Sequence, residues 1–176
     1  MAAKKAPVNK AAAKALPPPS SVRLREGQRA PALSLPGDDG ATHTLTQHQG
    51  SPVVVYFYPR DDTPGCTTQA CAFRDGLRDG LTLQGVVVLG ISRDTLARHQ
   101  KFKSKHALNF TLLSDEDLAA HLAWGAWGEK VMYGQKIVGV IRSTYLIGPD
   151  GTIVKAWPKV KVAGHIDEVS AAIKAL

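Results

Sequence analysis

The segment YPRDDTPGCTTQAC, residues 58–71, contains both cysteines of this 176-residue chain. Cys66 and Cys71 lie five positions apart, in a stretch that reads as the start of a helix. Because thiolates are nucleophiles and metal ligands, the pair suggests redox chemistry or a zinc site. Zinc is the weaker alternative, since there is no C-x-x-C spacing and no histidine clusters with the cysteines in the sequence. No metal site is therefore predicted.

Cys66 is predicted to lie in the first turn of its helix. Asp62 or Thr63 can cap this helix, and Pro64 suits its first position because the missing N–H would be unpaired there anyway. Free backbone N–H groups and the helix dipole favour a thiolate over a thiol. The placement alone is equally consistent with a small buried cysteine that packs at a strand–helix junction.

The spacing of the two cysteines argues against a permanent disulfide. On an ideal helix, five residues correspond to a Cα separation of about 8.6 Å, whereas a disulfide tolerates at most about 6.8 Å. The pair can bond only if the first helical turns unwind, and Gly65, a poor helix former, would ease that unwinding. Cys66 and Cys71 are therefore predicted to be an attacking thiol and a resolving thiol linked by local unfolding.

One charged residue occupies a position that the pattern assigns to the core. In VGVIRSTYLI, residues 138–147, alternation places Arg142 on an otherwise apolar face. A buried arginine needs an anionic partner, and a carboxylate such as Asp61 or Asp62 would be a purely structural one. The alternative is that Arg142 holds Cys66 as a thiolate and stabilises charge on a substrate oxygen.

The elements that must position these residues alternate between strands and helices. The run 51–59 is apolar, β-branched and aromatic, which is typical of a strand covered on both faces. It leads directly into the cysteine segment, and reactive groups gather at such carboxyl ends of central strands in open α/β sheets. The order predicts an α/β fold with a mixed central sheet flanked by helices.

Further elements are predicted on both sides of this strand. Two short strands surround an Asp-Gly turn within residues 30–45, and helices are expected at about 64–79, 94–107, 116–125 and 165–176, with Asp94 as the N-cap of the second. Strands are expected at 85–92 and 110–115, and two more within 139–157 are joined by the turn at 149–151.

The net charge of +7 belongs to the beginning of the chain. Six basic and no acidic residues precede Glu26, and the remaining 16 basic residues nearly balance 15 acidic ones. Residues 1–21, rich in Ala, Lys and Pro, are predicted to form a disordered arm, and residues 22–176 a single domain. The arm lacks the interleaved aromatic residues of a single-strand binder, so a solubilising tail is favoured over a nucleic-acid-binding segment.

Composition also indicates the cellular compartment. Two cysteines are too few for a disulfide-rich secreted scaffold, and no stretch has the apolar run of a signal peptide or a membrane span. A cytoplasmic protein is therefore expected, with no membrane partner. In that compartment a cysteine pair is more often catalytic than structural.

Pro59, Thr63 and Cys66 form the pattern P-x-x-x-T-x-x-C, which resembles the active-site signature of the peroxiredoxins. The whole segment 58–71 resembles the Q subfamily, the bacterioferritin comigratory proteins. The similarity continues through WGEKVMYGQKIVGVIRSTYLIGPDGTIVKAWPKVKVAGH and covers essentially everything after residue 21. It implies a thioredoxin-like fold and reduction of hydrogen peroxide and organic hydroperoxides without a metal or bound organic cofactor.

The resemblance also implies roles for the two thiols. Cys66 would be the peroxidatic cysteine, and Cys71 matches the intramolecular resolving cysteine of many members. The thiolate would attack the peroxide, the resulting sulfenic acid would condense with Cys71, and thioredoxin or a similar dithiol would reduce the disulfide. The protein is expected to be a monomer.

Other site residues follow from the same resemblance. Thr63 would hydrogen-bond the thiolate and the peroxide, Pro59 and Gly65 would line the substrate pocket, and Arg142 would polarise the reacting oxygens. Gln69 is a departure, because relatives often have Glu there. The neutral amide keeps the hydrogen-bonding shape but lacks the charge that a carboxylate would use to orient Arg142.

Two alternative functions compete with this interpretation. A general thiol–disulfide oxidoreductase would use the same fold and both thiols, although its usual C-x-x-C motif is absent and Thr63 and Arg142 would have no purpose. A nucleic-acid-binding or scaffold protein would use the basic arm and leave the cysteines incidental.

Overall fold

A computed structural model of the chain describes residues 15–80 and 82–176. The two short strands are β1 (Ser34–Pro36) and β2 (Thr42–Thr44), which pair antiparallel and are followed by a 3₁₀ helix, Leu45–His48. The later strands are β3 (Val53–Phe57), β4 (Val87–Ser92), β5 (Thr111–Ser114), β6 (Trp127–Met132), β7 (Gln135–Val140), β8 (Ser143–Ile147) and β9 (Ile153–Trp157). The helices are α1 (Pro64–Arg78), α2 (Leu96–His106), α3 (Ala119–Ala123) and α4 (His165–Lys174).

The central sheet has five strands in the order β5-β4-β3-β8-β9. β3 runs parallel to β4, which runs parallel to β5, whereas β8 and β9 are antiparallel to their neighbours. The parallel pairs require crossovers, and α1 and α2 supply them. The predicted mixed sheet flanked by helices is confirmed.

The side chains of β3 alternate between two apolar cores. Val54 and Tyr56 pack with Phe73 of α1, Phe102 of α2 and Val169 of α4. The strand's other residues, Val53, Val55 and Phe57, pack on the opposite face with residues of α3 and β1. Every residue of β3 is buried, because both faces of the sheet are covered. This strand is therefore the rigid base on which α1 begins.

Several local predictions differ from the structure. The N-cap of α2 is Thr95, whose hydroxyl accepts from the Arg98 N–H, while the side chain of Asp94 binds elsewhere. The helix predicted over 116–125 is shorter, because it begins only after Leu118, whose backbone has a φ of 64°. The first of the two strands expected within 139–157 is interrupted at residues 141–142. Residues 139–140 are the end of β7, and the rest of the expected strand is β8.

The β6–β7 hairpin was not predicted at all. Its strands pair antiparallel from Trp127 with Val140 to Met132 with Gln135, and they form a sheet separate from the central one. The turn places Tyr133 and Gly134 at positive φ. Apolar and polar residues do not alternate regularly in the sequence of the hairpin, because much of it faces solvent on both sides.

The predicted disordered arm falls largely on residues 1–14, which lie outside the described residues. The following residues contact the folded body. Trp127 Nε1 donates a hydrogen bond to the Pro17 carbonyl over 2.9 Å, Ser20 N–H donates to the Trp127 carbonyl over 2.8 Å, and Ser20 Oγ donates to the Leu122 carbonyl over 2.7 Å. Among the described helices, none is long and apolar enough to cross a membrane.

His165, the first residue of α4, should make the fold sensitive to acid. It is buried against Phe73 and Trp157, and burial lowers its pKa from 6.5 to about 4. Between these pH values the unfolded chain binds a proton at this residue that the folded chain does not. The free energy of unfolding should therefore fall as pH decreases from 6.5 towards about 4.

Urea unfolding of wild type and His165→Gln at about pH 7 and about pH 5 measures this contribution. The variant should lose less stability than wild type between the two pH values, because glutamine does not titrate. Equal losses in the two proteins would contradict the role of His165.

Candidate active site

Cys66 lies at the start of α1, which follows β3 after a loop of residues 58–63. Thr63 is the N-cap with extended backbone, Pro64 is the first helical residue, and Cys66 is therefore in the first turn. The Thr63 side chain makes no capping hydrogen bond, so the first N–H groups of the helix are not capped by it. The Cys66 side chain is only 2% exposed and joins the core beneath α1.

Arg142 reaches this helix start because of the pairing of β8 with β3. In this antiparallel ladder Ser143, the first residue of β8, lies opposite Phe57, the last residue of β3. The residue before Ser143 must therefore lie at the end of β3 where α1 begins. The Arg142 carbonyl also accepts a hydrogen bond of 2.8 Å from the Val160 N–H, which fixes its backbone.

The Arg142 guanidinium binds two side chains of α1. Nη2 donates to Cys66 Sγ over 3.4 Å, and Nη1 donates to Gln69 Oε1 over 2.7 Å. Gln69 is 2% exposed, and its Nε2 is buried without a hydrogen-bond partner among the described residues. The guanidinium is thus held by a neutral amide on one side and faces the sulfur on the other. No carboxylate of the described residues lies within ion-pair distance of it.

The purely structural prediction for Arg142, an ion pair with Asp61 or Asp62, is wrong. Asp61 is buried and accepts a hydrogen bond of 2.5 Å from Tyr58 Oη, and its other oxygen lies 2.6 Å from His99 Nδ1. His99 is fully buried on α2. This network anchors the loop between β3 and α1 to the next helix, so it positions the site without touching Cys66.

Asp62 also has partners on α2. Its carboxylate binds Lys105 Nζ at 2.8 Å and His106 Nε2 at 3.1 Å. The hydrogen bond from Lys105 is the main reason that the pKa of Asp62 is lowered. Asp62 has a φ of 58°, which a non-glycine residue rarely adopts. The two side-chain contacts stabilise this turn just before Thr63.

The remaining predicted site residues, Thr63, Gly65 and Pro59, have different contacts. Thr63 Oγ1 donates to the Arg60 carbonyl over 3.0 Å, which leaves its lone pairs free to accept. A Cβ atom on Gly65 would lie 3.3 Å from Arg142 Nη2, so glycine gives the guanidinium room beside the helix. Pro59, half-buried, lines a cavity of about 250 Å³ between the loop that precedes α1 and the β6–β7 hairpin.

Comparison with known proteins places this geometry in a family. Residues 26–156 match the model of the AhpC/TSA family. A putative peroxiredoxin bcp of Coxiella burnetii is 50% identical over 146 residues, 83% of this chain and 96% of that protein. Peroxiredoxin Bcp of Escherichia coli K12 is 47% identical over 146 residues, 83% of this chain and 93% of the relative.

Solved structures agree with the sequence matches. The bacterioferritin comigratory protein of Xanthomonas campestris, studied for alkyl peroxide reduction, has a TM-score of 0.75 and 45% identity and covers 81% of this chain and 90% of its own. A Xylella fastidiosa PrxQ variant has a TM-score of 0.80 and 35% identity over 88% of this chain and 98% of its own. The chain belongs to the Q-type (Bcp) peroxiredoxins. The predicted family and thioredoxin-like fold are confirmed.

Both thiols of this peroxiredoxin are free, although they share one helix. Cys71 is half-buried and lies five residues after Cys66. Because α1 is uninterrupted between them, the Cα separation is too long for a disulfide. The later part of α1 is tied to the end of α2: Arg74 Nη1 donates to the His106 carbonyl over 2.7 Å, and Asn109 Nδ2 donates to the Arg74 carbonyl over 3.1 Å. Unwinding between the cysteines can therefore stop before Arg74.

Sequence reasoning missed two parts of the peroxiredoxin site. The network of Asp61, Tyr58 and His99 had no visible signal, because 38 residues separate Asp61 from His99. Lys130, on the unpredicted hairpin, also lies near the site: burial is the main cause of its lowered pKa, and the charge of Arg142 adds to it. Within the described ranges no group of three or more His, Cys, Asp and Glu side chains is placed to hold a metal ion.

Proposed function

We propose that Cys66 is the peroxidatic cysteine and Cys71 the resolving cysteine of this peroxiredoxin. As a peroxiredoxin the chain is a thiol-dependent peroxidase, with a hydroperoxide substrate and a thiol reductant. The observation that supports the assignment is the Arg142 guanidinium against Cys66 Sγ at the first turn of α1. The Arg142 cation donates to this sulfur in the first turn of α1, while Cys71 lies more than a turn further along the helix.

In the first step the Cys66 thiolate attacks the terminal oxygen of the hydroperoxide. An S–O bond forms and the O–O bond breaks, so the leaving oxygen takes a proton and departs as water or alcohol, and Cys66 becomes a sulfenic acid. Arg142 and the helix-start N–H groups stabilise the negative charge that moves onto this oxygen. The Thr63 hydroxyl, which has free lone pairs, can accept from the incoming hydroperoxide.

In the second step the first turns of α1 unwind and the Cys71 thiol attacks the Cys66 sulfenic acid. A disulfide forms and water leaves. Thioredoxin or a similar dithiol then reduces the disulfide and is itself oxidised, which returns both thiols. The anchors at Arg74 keep the rest of the helix folded during this change.

The alternative function, a general thiol–disulfide oxidoreductase, is not favoured. Such an enzyme would not need an arginine that donates a hydrogen bond to Cys66 Sγ. The family of this chain is also named for peroxide chemistry. We place the protein in the cytoplasm, where a thioredoxin-type donor operates and where a cysteine pair is more often catalytic than structural. The monomeric state stays a prediction, and analytical ultracentrifugation of the reduced protein checks it.

The first prediction of the proposed mechanism concerns Cys66. Cys66→Ser should abolish peroxide consumption with thioredoxin and thioredoxin reductase, because serine is not a comparable nucleophile. The far-UV circular dichroism should be unchanged, since a hydroxyl replaces a thiol of similar size. Activity near that of wild type in the folded variant would contradict the assignment.

Cys71→Ser should separate the two steps. Mass spectrometry of wild type after one equivalent of peroxide should show the loss of two hydrogens in a peptide that links Cys66 and Cys71. The variant should instead carry a sulfenic acid that a trapping reagent labels on Cys66, and it should turn over only when an added small thiol resolves it. If thioredoxin supports equal turnover in variant and wild type, another group resolves Cys66.

Arg142→Met should slow the reaction with peroxide by about a hundredfold or more, because it removes a charged donor that acts mainly in the transition state. Arg142→Lys is the matched control, since it keeps the charge but loses the planar fork that binds both Gln69 and Cys66. Rapid-mixing kinetics on the folded variants measure the peroxide step. A rate for Arg142→Met within about threefold of wild type, less than about 1 kcal/mol, would leave Arg142 a structural residue.

A further inference from the structure

The β6–β7 hairpin is buried at its base and exposed at its tip. Trp127 and Val140, which pair at the base, are buried, and with Leu118 they form a small apolar core. Residues 131–136 at the other end are all exposed, and the two strands form a sheet by themselves. The tip, defined as residues 131–136, therefore projects from the body, which holds the hairpin at its base.

Exposed apolar surface is concentrated on this hairpin. Seven large apolar side chains are exposed among the described residues, and four of them are Val131, Met132, Tyr133 and Val138. Val131 is 69% exposed and Tyr133 is 99% exposed. Single exposed apolar residues are common on proteins, but several on one projection indicate a binding surface.

Tyr133 is not explained by the local fold. Its φ of 50° is left-handed, a conformation that glycine, asparagine or aspartate adopts more readily than an aromatic residue. Its side chain is almost completely exposed, so packing within the chain does not explain it either. An aromatic ring with a polar end does suit the boundary between water and lipid, where tyrosine and tryptophan are enriched.

Positive charge lies close to the apolar tip. Lys136 is exposed on the tip itself. Leu16 lines the cavity beside the hairpin together with Val138, so the chain enters the folded body next to this hairpin. The preceding residues 1–14 contain no acidic residue and four lysines, Lys4, Lys5, Lys10 and Lys14. The most basic segment of the sequence is thus attached beside its most apolar projection.

We propose that the hairpin tip and the lysines of residues 1–14 together bind an anionic lipid surface. Val131, Met132 and Tyr133 enter the interfacial region of the bilayer, and the lysines attract its anionic headgroups. Each contribution alone gives weak attachment, whereas an apolar group combined with a polybasic segment gives a stable one. The protein lies on the membrane surface and does not span it.

A lipid surface fits the tip better than a nucleic acid does. Proteins that bind single strands stack bases on several aromatic side chains, whereas Tyr133 is the one aromatic residue of the tip and its apolar neighbours are Val131 and Met132. The sequence predicts no membrane partner because it has no long apolar run. Surface attachment needs only a few apolar side chains, which the fold here brings to a projecting turn.

Cosedimentation of the reduced full-length protein with phospholipid vesicles tests this attachment. Vesicles of phosphatidylcholine with about 30% phosphatidylglycerol present anionic headgroups, and vesicles of phosphatidylcholine alone are the neutral control. Wild type should bind the anionic vesicles at least about tenfold more tightly than the neutral ones. Added salt should weaken this binding, because it screens the lysines.

Two variants separate the two contributions. The double variant Val131→Ser and Tyr133→Ser should bind anionic vesicles about tenfold more weakly than wild type, because less apolar surface enters the bilayer. Val154→Ser is its control: it removes an exposed apolar side chain from β9 of the central sheet and should leave binding unchanged. Replacement of all four lysines of residues 1–14 by glutamine should remove most of the preference for anionic vesicles.

Failure of this inference differs from failure of the proposed function, because the changes spare the residues assigned to the peroxide step. All these variants should consume hydrogen peroxide with thioredoxin at the rate of wild type, which also shows that they are folded. If wild type does so but does not bind anionic vesicles, the lipid site is wrong and the peroxidase site stands.

Two further results would overturn the lipid site. One is vesicle binding that both the tip variant and the lysine variant retain at full strength. The other is binding of the same lysines to a single-stranded oligonucleotide without binding to vesicles. If Cys66→Ser consumes hydrogen peroxide as fast as wild type, the proposed function fails instead.

Discussion

The hydrogen bond from Arg142 to Cys66 Sγ is the interaction on which the rest of the site depends. Burying a polar group costs free energy unless it is hydrogen-bonded, and this contact gives both the 2%-exposed Cys66 and the partly buried guanidinium a partner. Each group offsets this cost for the other. The neutral amide of Gln69 holds the guanidinium without supplying a competing negative charge, so the charge of Arg142 remains available to the sulfur.

The surrounding fold keeps these groups together while it allows one helix to change. β3 is buried on both faces and fixes the start of α1, and the Asp61–Tyr58–His99 network ties the intervening loop to α2. The segment between the cysteines is held by Arg142, which donates to Cys66 and Gln69, whereas Arg74 further along α1 binds the end of α2. In the proposed mechanism, resolution within one helix requires the contacts of Arg142 to break while those of Arg74 hold.

Charges near the site fall into two classes. Asp61, Asp62 and Asp94 all have partners among the described residues and serve the backbone of the loop and of α2. Among the described residues, no carboxylate pairs with Arg60, Arg93 or Lys130, the cations that line the same cavity as Pro59. The difference could not be read from charge in the sequence alone.

The sequence by itself determined the local features: a buried strand that leads into a helix, Cys66 in the first turn of that helix, and Cys71 too far along it for a disulfide. These depend on patterns that span a few residues. Tertiary structure alone decided the partners. Gln69 and Cys66, rather than Asp61 or Asp62, bind Arg142, because the β8–β3 register sets its position and both carboxylates are bound by α2. The cavity lined by Pro59 and Arg60 likewise exists only because the unpredicted β6–β7 hairpin packs beside the loop between β3 and α1. Contacts between residues so far apart leave no periodic signal in the sequence.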